Sequence, residues 1–124
     1  MARRFLFIAA LSGMLLVMLG AFGAHALETR LSPTHMIWWQ KAVHYQGLHT
    51  LALLAVGLLA LLHPARALNA AGWLFVIGIL LFSGSLYTLT LTDIRTLGMV
   101  TPFGGTAFIA GWVALVLAAW RLPR

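Results

Sequence analysis

The chain has 124 residues, of which 62% are hydrophobic and 8% are charged, and this composition excludes a soluble globular domain of ordinary charge and core size. The absence of cysteine excludes disulfides and Cys-ligated metals. The net charge of +6 comes from cations that lie singly or in pairs between apolar runs, without a basic stripe, so we expect no nucleic-acid partner.

Four apolar runs are each long enough to cross about 30 Å of hydrocarbon at about 1.5 Å per residue. They cover residues 5–27, 43–62, 70–91 and 103–120, and none contains Lys, Arg, Asp or Glu. A membrane span must satisfy its own backbone hydrogen bonds, so each run is predicted to be an α-helix. The predicted fold class is an all-α membrane protein: a four-helix antiparallel bundle that forms one membrane domain over residues 1–124.

The connections between the runs carry helix start and stop signals. Ser32 and Pro33 form a helix N-cap with proline at the first helical position. Pro64 ends the second helix at His63, because the residue before proline avoids the α region. Pro102 is predicted to start the fourth helix.

A helix that begins at Pro33 and ends at Leu62 would exceed one perpendicular span. It must therefore tilt, protrude or bend near Gly47, or its first part must lie along the interface. Trp38 and Trp39 are predicted to anchor that part at the membrane surface.

The arginines and lysine set the predicted orientation, because cytoplasmic loops carry an excess of these residues. With the N-terminus inside, five cations are cytoplasmic: Arg3, Arg4, Arg66, Arg121 and Arg124. Three lie outside: Arg30, Lys41 and Arg95. The sequence therefore predicts a multi-pass membrane protein with both termini in the cytoplasm, and the small excess leaves dual topology as the alternative.

Polar residues concentrate near the predicted outer ends of the helices. Because successive helices cross in alternate directions, these side chains are predicted to share one layer near the outer face. The candidate pocket consists of His25, Tyr45, Gln46, His49, Ser83, Ser85 and Tyr87.

This polar layer has two interpretations, which the sequence leaves open. The layer could bind a lipid head group, a quinone, a metal or a relayed proton, or it could be a hydrogen-bond network that fixes helix packing. His44 and His49 are five residues apart, which is not the i,i+4 spacing of a chelating pair. We expect no metal, no cofactor and no catalytic residue.

Five glycines in the same region are predicted to let helices approach closely: Gly20, Gly23, Gly84, Gly104 and Gly105. The pair after Pro102 has an alternative role. It could instead open a broken or re-entrant helix whose backbone amides bind an anion.

The same clusters make the chain resemble the small inner-membrane proteins of the YgdD type, a family classed as a domain of unknown function. The resembling segments are residues 20–25, Tyr45-Gln46, His49-Thr50, residues 81–87, Thr101-Pro102, Gly104-Gly105 and Gly111-Trp112. They cover nearly the whole chain in the family's order. The resemblance implies a four-span inner-membrane protein of Gram-negative type and brings no activity, substrate or catalytic residue with it.

The function predicted from the sequence is a non-enzymatic membrane protein that binds membrane lipids, a second copy of itself or another membrane protein through the polar layer. Two alternatives belong to other classes. One is a small oligomeric transporter or channel that uses His49 in place of an intramembrane carboxylate. The other is a haem- or quinone-associated accessory protein with His25 and His49 at the cofactor.

Overall fold

A computed structural model describes all residues, 1–124, and its regular structure is entirely helical. Four helices are long and apolar enough to cross a membrane. They are α1 (Ala2–Leu27, π-helical over Gly23–Leu27), α2 (Pro33–Leu62), α3 (Arg66–Thr92, π-helical over Ile79–Ser83) and α4 (Thr101–Trp120). A 3₁₀ turn, Arg95–Met99, precedes α4. The prediction of an all-α bundle with four candidate membrane spans is confirmed.

The helices extend beyond the predicted apolar runs, and α2 does so most. This helix is continuous from Pro33 to Leu62, with no break at Gly47. The predicted cap is present: the Ser32 hydroxyl oxygen accepts a hydrogen bond from the His35 backbone N–H at 3.1 Å. At the other end, His63 leaves the α region at φ −139°, as expected before proline.

Helices α1 and α2 pack along their whole length with small residues at the seam. A Cβ added at Gly57 would crowd Leu6, one at Gly13 would lie 3.8 Å from Thr50, and one at Gly20 would lie 3.7 Å from Val43. Residues later in α1 therefore contact residues earlier in α2. Close helix approach over small residues is the usual way that membrane helices gain packing energy.

Helices α3 and α4 are in even closer contact, because glycines of each helix leave room for aromatic rings of the other. Phe108 covers Gly78, and Phe75 covers Gly111. Gly104 lies directly against the backbone of Phe82, so a Cβ there would overlap main-chain atoms. This seam fixes the position of the aromatic rings that surround the polar side chains of α2.

The apolar core lies around the start of α1 and the second half of α2. Its largest fully buried members are Phe5, Phe75, Leu53, Leu68 and Val56. A smaller buried cluster of Ala42, Leu86 and Leu89 lies nearer the opposite end. The outward faces are also apolar, as the exposed Val17, Leu80 and Val116 illustrate, which is the surface that a hydrocarbon solvent requires.

The two ends of the bundle hold different groups. At one end, here called the termini end, Met1 and Arg66 line one shallow cavity, and Arg66 and Arg121 line another. At the other, here called the loop end, the start of α2 meets the connection between α3 and α4, where His35 contacts Asp93. The polar residues of the interior lie between these ends.

Candidate functional site

A hydrogen-bonded chain of polar side chains, here called the Gln46 network, joins α1, α2 and α3. Tyr87 donates its hydroxyl proton to the Gln46 carbonyl oxygen at 2.7 Å. The Gln46 amide nitrogen donates to both the backbone carbonyl and the hydroxyl of Ser12, each at 3.2 Å. The Ser12 and Thr50 hydroxyls are 2.7 Å apart. Every polar side chain in this network therefore has a partner within the bundle.

The rim of this network toward the loop end is built from two aromatic residues. Trp39 meets the Tyr87 ring edge-on, with centroids 4.7 Å apart, and its indole N–H donates to the Leu19 carbonyl at 3.1 Å. Trp39 also covers Gly23, which leaves no room for a Cβ at that position. The tryptophan is fully buried and acts as a packing residue between α1, α2 and α3 rather than as an exposed anchor.

His49 lies on the other side of α2, facing α3 and α4. Its ring stacks on Phe108 with centroids 3.5 Å apart and an interplanar angle of 8°. Nε2 is 3.1 Å from the indole nitrogen of Trp112, and Nδ1 is 2.8 Å from the Tyr45 carbonyl oxygen. An indole nitrogen can only donate and a carbonyl can only accept, so His49 is the tautomer protonated at Nδ1, with both nitrogens engaged.

The remaining predicted pocket residues lie in different surroundings. The half-exposed ring of Tyr45 packs on Phe82 with centroids 4.5 Å apart. Ser83 donates its hydroxyl proton to the Ala42 carbonyl at 2.8 Å. Ser85 donates to the Phe82 carbonyl, and its oxygen lies 2.6 Å from the Thr101 hydroxyl.

The predicted residues therefore form separate groups rather than one continuous pocket. Gln46 and Tyr87 meet in the Gln46 network, and Tyr45 and His49 meet in the aromatic cluster beside α4. His25 lies apart from both, exposed near the end of α1. No group of three or more His, Cys, Asp or Glu side chains lies close enough to hold a metal ion.

The five predicted packing glycines differ in how tightly they are enclosed. Gly23 and Gly104 leave no space for a side chain, whereas a Cβ at Gly20 or Gly105 would make ordinary contacts at 3.7 and 3.9 Å. At Gly84 the nearest atom would be the Ile79 carbonyl oxygen at 4.0 Å. Gly84 therefore has open space beside it, and this space is part of a groove.

The groove runs between α1 and α3 over the Gln46 network and has a volume of about 280 Å³. Helix α1 contributes Ile8, Leu11, Leu15 and Leu19, and helix α3 contributes Val76, Ile79, Leu80 and Gly84. The two helices meet at one end, where the Phe5 ring lies against Gly72 and 5.5 Å from the Trp73 ring. Beyond that contact, the groove opens sideways toward the surroundings of the bundle.

The surface of the groove is apolar although polar residues form its floor. Ser12 and Gln46 are at least 92% buried and bonded to each other, and Ser83 is buried with its proton directed to α2. What remains accessible is chiefly the leucine and isoleucine side chains of the walls. Such a surface is complementary to a hydrocarbon chain and not to a charged group.

Sequence reasoning missed three members of these groups. Ser12 and Thr50 are small hydroxyl residues inside apolar runs, and Trp112 lies within α4 rather than at its end. The depth of these residues within the spans could have identified them. A polar residue in a span usually faces other helices, and a mid-span tryptophan has an N–H that needs an acceptor.

A second polar cluster lies at the loop end. His35 Nε2 is 2.9 Å from Asp93, and Arg95 is 3.4 Å from the same carboxylate oxygen. The Ser32 hydroxyl, which caps α2, is 2.6 Å from His35 Nδ1. The hydrogen bond from His35, followed by the positive charge of Arg95, holds the pKa of Asp93 below its ordinary value. This cluster ties the start of α2 to the connection before α4.

Comparison with known proteins finds a matching family and no matching solved structure. The model of a family described as proteins of unknown function, DUF423, matches residues 19–105. A UPF0382 membrane protein of Staphylococcus epidermidis is 50% identical, over 94% of this chain and 95% of its own length. The Bacillus subtilis UPF0382 membrane protein YwdK is 45% identical, over 93% and 94%. The Escherichia coli UPF0382 inner membrane protein YgdD is 41% identical, over 100% and 95%.

Proposed function

The chain belongs to the DUF423 family of membrane proteins of unknown function, and from this premise we propose that it is a non-enzymatic, multi-pass protein of the bacterial inner membrane that binds a lipid chain in the groove between α1 and α3. The inner-membrane location is supported by the Escherichia coli relative, which is named an inner membrane protein. The relatives in Staphylococcus and Bacillus extend the family beyond the Gram-negative type that the resemblance implied.

The observation that carries this proposal is the apolar groove over a self-satisfied polar floor. Because Gln46 and Ser12 are bonded within the bundle, they present few free polar atoms to an occupant. An apolar groove that opens sideways among lipids takes up hydrocarbon without desolvating a polar group. The predicted polar layer thus acts as the support of the site, while the leucine-rich walls contact the ligand.

The geometry of His49 favours this role over proton transport or cofactor ligation. Nε2 already accepts the Trp112 N–H, and Nδ1 already donates to a backbone carbonyl. To bind iron or relay a proton, the imidazole would have to give up one of these bonds inside a stacked aromatic cluster. The side chain is better suited to holding α2 against α4.

We propose an antiparallel bundle with both termini in the cytoplasm. Leu6 near the start of α1 contacts Gly57 late in α2, whereas Gly20 contacts Val43, and this order supports opposite directions for the two helices. Met1 and Arg66 line one cavity, and Arg66 and Arg121 line another. These shared cavities support placing both termini at the same end of the bundle as the connection between α2 and α3. That end carries five of the eight cations, which favours the cytoplasmic side.

Native mass spectrometry of protein extracted in mild detergent tests the proposed binding, with Gly84→Leu as the blocking variant. The new side chain has room at its Cβ and would fill the groove without displacing another helix. Gly105→Leu is the matched control, because it makes the same substitution in a helix outside the groove. We expect the parent protein and the control to retain lipid and Gly84→Leu to lose most of it.

Equal lipid retention by all three proteins would overturn the groove as the binding site. Retention of a second membrane protein in place of lipid, lost on Gly84→Leu, would replace the lipid with a partner helix as the occupant. Thermal unfolding of the three proteins in the same detergent verifies that loss of lipid does not result from loss of the fold.

A further inference from the structure

We propose that the groove holds one acyl chain of an anionic phospholipid, whose phosphate head group lies against Arg3 and Arg4 at the termini end. This inference rests on the proposed function and specifies the class of lipid. It adds a head-group site that is separate from the Gln46 network and from the loop end.

The head-group site and the groove are continuous. Ile8 lines the inner part of the groove and also a shallow cavity formed with Arg3, Arg4, Phe7 and Trp73. A lipid whose head group lies in this cavity therefore has its chains directly beside the entrance to the groove. One phospholipid can occupy both sites without bending around a helix.

The charge at this cavity is positive and has no counter-charge from the protein. Arg3 and Arg4 are exposed, and neither forms an ion pair. The only acidic side chains, Glu28 and Asp93, belong to the connections at the loop end. Two unpaired arginines at the membrane surface attract anionic lipids in preference to zwitterionic ones.

Trp73 gives the cavity an amphipathic wall of the kind found at the membrane surface. Its ring is 40% exposed and is held by an edge-on contact with Phe5. Tryptophan at this depth lies among the head groups and glycerol backbones of the lipids. The ring therefore lies between the phosphate site and the hydrocarbon site.

The groove is about as long as the hydrocarbon of one leaflet is thick. On α1 the walls run from Ile8 to Leu19, which corresponds to about 16 Å at about 1.5 Å per residue. Half of the bilayer hydrocarbon is about 15 Å thick. Because the groove begins about 6 Å beyond Arg4, an acyl chain that enters beside Arg4 and fills the groove would end about 22 Å from Arg4, beyond the bilayer midplane.

The test is a lipid titration of purified, delipidated protein in neutral detergent, followed by native mass spectrometry. The probes are phosphatidylglycerol and phosphatidylcholine with identical acyl chains. We expect phosphatidylglycerol to bind more tightly, by about fivefold for each arginine that contacts the phosphate. Because the binding is measured in detergent, the orientation of each variant in the cell does not affect the result.

Two double variants separate the specific site from general charge. Arg3→Gln/Arg4→Gln should abolish the preference for phosphatidylglycerol while phosphatidylcholine binding remains. Arg121→Gln/Arg124→Gln removes two cations from the same end of the bundle, away from the groove, and should keep the preference. If both double variants lose the preference for phosphatidylglycerol equally, the preference results from net charge, and the head-group site is overturned.

The remaining outcomes distinguish this inference from the proposed function. If phosphatidylglycerol and phosphatidylcholine bind equally to the parent protein and Gly84→Leu weakens both, the groove stands and the head-group site is wrong. If neither lipid binds, or Gly84→Leu changes nothing while Arg3→Gln/Arg4→Gln removes the preference, the groove itself fails as the chain site.

Discussion

At the scale of single residues, the most informative side chain is His49. A histidine deep in a span is a functional candidate by default, because an unpaired polar group in hydrocarbon is costly. In this protein three contacts of the His49 ring offset that cost: Trp112 supplies a donor, the Tyr45 carbonyl supplies an acceptor, and Phe108 stacks on the ring. His49 thus serves as a connector between α2 and α4.

The connector role predicts energetic coupling between His49 and Trp112. In a double-mutant cycle, His49→Phe keeps a ring that can stack on Phe108, and Trp112→Phe removes the indole donor. We expect each single variant to unfold more easily and the pair to be coupled by about 0.6 kcal/mol, and by no more than about 1.7 kcal/mol. Unfolding free energies in mixed micelles measure this coupling.

The exposed Trp120 provides the control for this cycle. It lies at the end of α4 and is 88% exposed, so Trp120→Phe combined with His49→Phe should be additive. Additivity for the His49 and Trp112 pair as well would mean that their hydrogen bond contributes nothing to the packing of α4.

At the scale of helices, the seam between α3 and α4 is the most constrained contact. Phe82 belongs to the π-helical segment of α3, and its backbone nitrogen and Cα lie where a Cβ of residue 104 would be. A side chain could move aside, but a helix backbone cannot do so without separating the two helices. Glycine at this position is therefore required by contact and not by backbone conformation.

Gly104→Ala should consequently destabilise the protein by about 1–3 kcal/mol through overpacking. Gly105→Ala is the neighbouring control: its Cβ would lie 3.9 Å from the Phe82 ring, and alanine favours a helix more than glycine does. Thermal unfolding in detergent should therefore show a lower midpoint for Gly104→Ala and an equal or higher one for Gly105→Ala. The opposite order would show that α4 does not pack on α3 at Phe82.

The sequence was sufficient to predict the four helices, because each apolar run has the length that a membrane requires. It also predicted the α2 cap, since Ser32 followed by Pro33 is a local signal. The extra turns at Ala2 and Arg66 were missed because polar residues can continue a helix beyond the hydrocarbon.

The grouping of the polar residues could not be predicted in the same way. Whether Gln46 meets Ser12 or His49 meets Trp112 depends on the rotation of each helix about its axis, and an almost uniformly apolar surface leaves that rotation undetermined. The groove depends on the same rotation and on the separation of α1 from α3. Neither quantity is encoded in a short motif.

At the scale of the whole molecule, the loop end is held together by Asp93, which forms a hydrogen bond with His35 and an ion pair with Arg95. The hydrogen bond from His35 lowers the pKa of Asp93 below its ordinary value of 3.8. A carboxyl group with a lowered pKa stabilises the fold at pH values above the ordinary pKa, and this contribution is lost as the pH falls through the lowered value.

Asp93→Asn should therefore unfold at a lower temperature than the parent protein at neutral pH, and the difference should shrink only below about pH 4. Asparagine tolerates the left-handed backbone of this position, φ 55°, so the comparison reports the loss of charge. Glu28→Gln removes the other carboxylate, which forms no ion pair, and should leave the unfolding temperature unchanged. A difference for Asp93→Asn that is constant down to pH 3 would contradict the proposed contribution.

The orientation of the molecule depends on a small difference in charge between its ends, and this makes it sensitive to two substitutions. Arg3→Gln/Arg4→Gln leaves three cations at each end, whereas Arg95→Gln leaves five against two. A reporter fused to the C-terminus should find the parent protein and Arg95→Gln with this terminus in the cytoplasm, and the double variant in both orientations. Mixed orientation of the parent protein would instead establish dual topology, and the anionic-lipid site would then face both leaflets.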